Sequence, residues 1–164
     1  MIGLATERLI FRQRTQEDYP EFAAFFSKEE TYSYVGGVKS PEASWRLMAR
    51  YIGHYELNGY SFLALAEKHS KTFIGTLGLR NSSPWPEPEL GYWLLPQFQG
   101  KGFGVEAGLA LKQFALDTLQ LNSLVSHIAS SSTPSKKLAE RLGAQFDTTC
   151  KLLVYRTHEI YRYK

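Results

Sequence analysis

From Leu90 the chain runs through an apolar strand to Leu95, then Pro96, then Gln99-Gly100-Lys101-Gly102-Phe103-Gly104 and into a helix. Three glycines at alternate positions leave this backbone nearly bare. Successive N–H groups can then converge on an anion at the positive end of the following helix, which is what a diphosphate needs. A tight strand-to-helix connection would use the same glycines, so the flanking residues must choose. A magnesium-nucleotide loop needs Gly-Lys followed by Ser or Thr, whereas Gly100-Lys101 is followed by Gly102. Gly102, Gly104 and Ala107 do satisfy the Gly-x-Gly-x-x-Ala spacing of a dinucleotide fold. That fold wants a carboxylate at the end of the next strand, roughly twenty residues on. The next strand, Leu124 to Ala129, ends in Ser130-Ser131-Ser132, which argues against a nicotinamide-binding domain.

The elements that would hold this turn can be read in chain order. Arg8 to Arg14 alternates, with Leu9 and Phe11 on one face, and reads as a strand at the sheet margin. Thr15 to Asp18 starts a helix, with Thr15 supplying the cap oxygen and Phe22, Phe25 and Phe26 its apolar stripe. Lys28 to Lys39, around Gly36-Gly37, is a loop. A second helix takes Ser40 as cap and Pro41 as first residue, is expected to bury Trp45, Met48, Ile52 and Tyr55, and stops at Asn58-Gly59. Tyr60 to Glu67 and Thr72 to Arg80 form an antiparallel hairpin. A Pro-rich loop around Trp85 leads to the central strand. The helix after the glycine turn runs to about Leu119, apolar over most of its circumference and therefore largely buried. Ser123 to Ala129 is a further strand, Thr133 and Pro134 open a last helix closed by Leu142-Gly143, and two strands finish the chain near Gln145–Cys150 and Leu152–Tyr163.

At 164 residues, 43% apolar and 21% charged, the chain is one domain able to bury a core without disulfides or metals. Its one cysteine, Cys150, cannot form an internal disulfide, and no apolar run approaches membrane-spanning length. The first residues are too short and uncharged for a secretory signal, so a cytoplasmic protein is expected. A net charge of +3 with scattered Lys and Arg does not argue for nucleic acid. Tyr155, Tyr161 and Tyr163, expected to be exposed on the last strand, would suit a homodimer as well as a monomer.

Gln99-x-x-Gly102-x-Gly104 after an apolar strand resembles the acetyl-CoA diphosphate loop of the GNAT superfamily of N-acetyltransferases. Glu89-Leu90-Gly91-Tyr92-Trp93-Leu94-Leu95-Pro96, Thr6-Glu7-Arg8-Leu9-Ile10-Phe11-Arg12 and Ser135 to Ala144 resemble the RimJ/RimL branch, in that family's order along nearly the whole chain. The resemblance implies an α+β, three-layer fold, with a mixed, mostly antiparallel seven-stranded sheet, about four helices and a splayed central parallel pair. Strands that part leave N–H and C=O groups unpaired, and the two amides of a pantetheine arm can satisfy them.

It further implies acetyl-CoA as co-substrate, no metal, and an amine-bearing peptide or small molecule as acceptor. The amides of Gln99, Gly100, Lys101, Gly102, Phe103, Gly104 and Val105 would hold the diphosphate. Leu94 and Leu95 would hold the arm and point an N–H at the thioester carbonyl. On the last helix, branch members often carry Asn-x-x-Ser; here Ser132 stands at the Asn place and Ser135 at the serine. The tyrosine of many other members falls on Ala139, so Ser135 is the expected acid for the leaving thiolate, with helix capping the plainer role for both serines. Glu89, on the side of Gly91, Trp93 and Leu95, could take the amine proton through water. Glu106 could be a helix-dipole partner. His54, on the helix bordering the acceptor, and His127 read as structural. Tyr32, Tyr34, Gly36, Trp45 and Trp85 would wall the acceptor. The missing Asn and Tyr leave a second reading open, a non-catalytic acyl-CoA sensor on the same scaffold.

Overall fold

A computed structural model describes residues 1–29, 37–81, 87–151 and 157–164. Its strands are β1 (Leu9–Arg12), β2 (Phe62–Glu67), β3 (Phe73–Arg80), β4 (Glu89–Leu94), β5 (Val125–Ala129), β6 (Ala144–Lys151) and β7 (Thr157–Tyr163). They form one seven-stranded sheet in the order β1-β2-β3-β4-β5-β7-β6. Only β4 and β5 run parallel; every other neighbouring pair is antiparallel. The helices are α1 (Tyr19–Phe26), α2 (Pro41–Asn58), α3 (Phe103–Gln113, continued by a π-helical turn over Phe114–Thr118) and α4 (Thr133–Arg141).

Two cores lie on opposite faces of the sheet. α3 and α4 pack Phe103, Ala107, Leu111, Ala139 and Leu142 onto Leu9, Phe11, Leu77 and Leu90. α1 and α2 pack Phe22, Phe25, Phe26, Met48 and Tyr51 onto Phe62, Phe73, Trp93 and Leu95. The alternation of β4 follows directly, since successive strand side chains point to opposite faces. Leu90 joins the α3–α4 core, while Trp93 and Leu95 join the other.

Local signals act as their chemistry requires. Ser40 Oγ accepts the Ala43 N–H at 3.1 Å at the start of α2, and Gly59 ends it in the left-handed region at φ 73°. Before α1, a 3-10 turn over Gln16–Asp18 places the Asp18 carboxylate to accept the Thr15 N–H at 2.9 Å, so the acidic side chain carries this cap. Arg12 holds the same carboxylate with two contacts of 2.7 Å.

Two expectations need correction. The buried stripe of α2 is Ser44, Met48 and Tyr51, and Trp45 is 48% exposed, edge-on to Tyr19 at 5.2 Å. Ser44 takes the buried position one residue before the larger ring. Tyr161 and Tyr163 are each 5% exposed and belong to the α3–α4 core. They therefore offer nothing to a partner copy, and Tyr155 lies outside the described residues. Arg14, at the end of the alternating run, is buried beyond that strand. No helix among the described residues is long and apolar enough to cross a membrane.

Candidate active site

β4 and β5 meet at a single register pair, Glu89 with Val125, and make no further ladder contact. Beyond it the sheet is held open by side chains. Ser126 Oγ donates to the Leu90 carbonyl at 2.5 Å and contacts Tyr163 Oη at 2.9 Å, filling the vertex. The Tyr92 phenol crosses from β4 to α4, donating to the Ser135 carbonyl at 2.7 Å. Burial pushes this phenol well up from its ordinary range, so it stays a neutral donor.

Strand geometry assigns the groups that face the gap. The Leu95 N–H is spent on the Ile74 carbonyl of β3 at 3.0 Å, and the Val125 N–H takes the Pro88 carbonyl at 3.0 Å. N–H and C=O point to alternate neighbours along a strand, so Leu90, Tyr92 and Leu94 turn theirs toward β5. The Leu94 carbonyl accepts the Gln99 side-chain amide at 2.9 Å. What remains toward the opening are the Leu94 N–H and both backbone groups of Tyr92. Leu95 contributes its side chain to the α1–α2 core and not its amide to the gap. Tyr92 was not singled out from the sequence, because an alternating pattern gives side-chain faces and not the direction of the backbone groups.

After β4 a 3-10 turn, Pro96–Phe98, leads into the glycine turn. Gly100 and Gly102 sit at φ 74° and 81°, the left-handed region where a Cβ is strained. Gly102 precedes α3 without a side-chain cap, and the first helical bond there is from the Glu106 N–H to the Gly102 carbonyl at 3.0 Å. The amides of Phe103, Gly104 and Val105 thus carry no helical partner. At Gly104 a Cβ would stand 3.0 Å from Leu138, so the close approach of α3 to α4 also needs this glycine.

The turn is fastened from the far end of the chain. Glu106 accepts Thr6 Oγ1 at 2.5 Å, the Arg8 N–H at 2.9 Å and Arg8 Nε at 2.6 Å. Arg8 also donates to the Lys101 carbonyl at 3.2 Å and lies 4.5 Å from the Phe103 ring centroid. Burial pushes the Glu106 carboxyl up, but the donors from Thr6 and Arg8 outweigh it and hold it below its ordinary range. Lys101 Nζ lies over the Phe98 ring at 5.5 Å. Arg8, paired with Glu106, thus clasps the turn backbone, and Lys101 lies back over the residue that precedes it.

At the start of α4, Ser132 Oγ donates to Ser135 Oγ at 2.8 Å, and no side-chain cap bond is made there. Ser132 is buried and Ser135 half-buried. An accepting Ser135 hydroxyl keeps its own hydrogen for another partner. Glu89 is 6% exposed and ion-paired with Arg80 of the neighbouring strand, Arg80 Nε lying 3.0 Å from Oε2. It sits at the paired vertex, five residues before Leu94 and roughly 17 Å along the strand. His127 lies on β5 within reach of this charge, its pKa lowered by burial with Glu89 opposing. Beside the gap where β4 and β5 part, the Gln99 side chain ties Leu94 to the turn, and the Tyr92 phenol ties β4 to Ser135, which Ser132 contacts. Glu89 stands behind it, and Trp45 is on the outer surface of α2. Tyr32, Tyr34, Gly36 and Trp85 lie outside the described residues.

Known proteins share this fold. A family model described as Acetyltransferase (GNAT) domain matches residues 8–145. The uncharacterized N-acetyltransferase p20 of Bacillus licheniformis is 30% identical over 148 residues, spanning 88% of this chain and 83% of its own. The crystal structure of an acetyltransferase from Agrobacterium tumefaciens str. C58 has a TM-score of 0.89 at 28% identity, covering 98% of this chain and 93% of that one. RimL, a ribosomal-protein α-N-acetyltransferase solved with coenzyme A, shares the fold with a TM-score of 0.78 at 18% identity, covering 98% of this chain and 96% of its own.

Proposed function

Because this chain belongs to the GNAT acetyltransferase family, we propose that it moves the acetyl group of acetyl-CoA directly onto a primary amine, either a protein N-terminal α-amine or that of a small molecule. The observation that carries this reading is the bare amide turn at Gly100–Val105, opening beside strands that part after one pair. In it, the turn amides take the diphosphate. The arm bonds to Tyr92 and to the Leu94 N–H, which is placed to stabilise charge developing on the thioester oxygen.

Ser135, polarised by Ser132, supplies the proton to the leaving sulfur. The amine binds neutral and gives up its proton to solvent, because Glu89 lies roughly 17 Å along the strand from the Leu94 N–H and is paired with Arg80. Expected on replacing Ser135 by alanine is a loss in kcat of about tenfold, or ~1.4 kcal/mol of transition-state stabilisation, since water can take over part of the role. Acetyl-CoA affinity should hold. Thiol release from acetyl-CoA with an amine panel measures this. Tight coenzyme binding without acceptor-dependent thiol release would instead establish a sensor.

The Arg8 to Glu106 fastening makes a separate prediction. Arg8→Ala should weaken coenzyme A binding roughly tenfold, as expected for loss of one partly exposed charge and of the turn's preset shape. Titration calorimetry checks it, and unchanged affinity would show that the turn holds its form alone.

A further inference from the structure

The first turn of α4 carries Ser135, and it starts without the bond that a serine in the capping place ordinarily supplies. Ser132 Oγ is spent on Ser135 Oγ at 2.8 Å instead of on a backbone N–H. Side chains that reach this turn across the sheet therefore set its position.

Among the described residues two such contacts fall on consecutive positions. Tyr92 Oη of β4 donates to the Ser135 carbonyl at 2.7 Å, and Lys136 Nζ reaches Glu159 Oε1 of β7 at 2.6 Å. β4 and β7 are the two neighbours of β5 in the sheet. The start of α4 is thus braced from both sides of the place where β4 and β5 part.

The two braces differ in kind. Lys136 and Glu159 are 23% and 17% exposed, so water and salt screen their attraction. The Tyr92 ring packs against the α3–α4 core, and a neutral hydrogen bond there is electrostatically stronger than one in water. Its oxygen also accepts from the Ala139 N–H. The Ser135 carbonyl and the Ala139 N–H are the two ends of one i to i+4 helical step. The phenol therefore touches both ends of the bond that closes the turn carrying Ser135.

Tyr92 meets the gap with its backbone as well. In a strand the side chain leaves perpendicular to the sheet while N–H and C=O lie within it. One residue can then offer both backbone groups to the arm and its phenol to α4.

Resting on the transfer reading above, we propose that Tyr92 is a positioning residue for the acid. Its phenol fixes the first turn of α4, and with it Ser135 Oγ beside the gap, while its backbone holds the arm. The phenol acts through Ser135 and exchanges no proton with the substrate.

The test compares the whole chain with Tyr92→Phe, Ser135→Ala and the double variant. Phenylalanine keeps the ring in the core and leaves the Ser135 carbonyl its helical partner, so the chain should fold. Thiol release from acetyl-CoA with the amine panel gives kcat, calorimetry gives acetyl-CoA affinity, and hydrogen exchange read by mass spectrometry reports on residues 132–141. Tyr92→Phe should lower kcat roughly fivefold and speed exchange in the first turn of α4 by a similar factor, as one neutral hydrogen bond allows. Acetyl-CoA affinity should stay within about twofold, since the backbone groups that hold the arm remain. In the Ser135→Ala background the same substitution should change kcat by less than about twofold, because the group it positions is gone. An unchanged kcat, an unchanged exchange rate, or a fivefold loss that persists without Ser135 would overturn the role. Faster exchange in Tyr92→Phe, with no acceptor-dependent thiol release from the wild type, would sustain the brace and contradict the transfer reading instead.

Discussion

Gly102→Glu is expected to reduce coenzyme A binding at least about a hundredfold, or ~2.7 kcal/mol, in a chain that still folds. Gly102 sits at φ 81°, so any side chain adds left-handed strain of ~1–2 kcal/mol. A Cβ there meets only Arg8 Nη2, at 3.4 Å, so there is room for one. The new carboxylate would find Arg8 as partner, which keeps the fold, and would set a negative charge where the diphosphate belongs. Gly102→Ala separates the two effects, because it carries the strain without the charge and should lose far less affinity. Calorimetric titration with coenzyme A measures both variants, and wild-type affinity in the glutamate variant would remove the turn from the binding site.

Trp93→Ala is expected to cost ~3–5 kcal/mol of stability, a large share of the ~5–15 kcal/mol that a domain of this kind has. Trp93 stacks on Phe25 at 4.0 Å between centroids and meets Phe22, Phe26 and Phe73 edge-on or tilted at 5.6, 5.4 and 5.9 Å. It is therefore the common contact of α1 and the sheet. Its indole N–H has no hydrogen-bond partner among the described residues, so Trp93→Phe removes volume without orphaning a polar group. That variant should lose much less, about 1.5 kcal/mol or under. Urea unfolding read by circular dichroism decides. A loss below ~1 kcal/mol for the alanine variant would mean the aromatic cluster does not anchor α1.

The sequence made the element order, the central strand and the glycine turn legible, because each is written in local chemistry. Ser40 and Pro41 open α2, Gly59 closes it, and Gly100 and Gly102 take the φ values that their alternate spacing implies. What escaped was set across the sheet. The Arg8 to Glu106 contact spans 98 positions, and nothing near either residue announces the other. Arg14 ends an alternating run and looks solvated until β2 and β3 supply the carbonyls and hydroxyl that bury it. Trp45 lost its expected place to Ser44 by one helical position, a choice made by the surface that α2 packs on. Leu95 was expected to hold the arm beside Leu94, yet its N–H belongs to β3, which only the pairing register reveals.

The proposed chemistry depends on where the diphosphate of coenzyme A lies. A crystal structure of the chain with coenzyme A should show it within hydrogen-bond distance, ~2.7–3.2 Å, of the amides between Gly100 and Val105, with the arm along Tyr92 and Leu94 between β4 and β5. A diphosphate bound elsewhere, or strands β4 and β5 closed along their length in that complex, would contradict it.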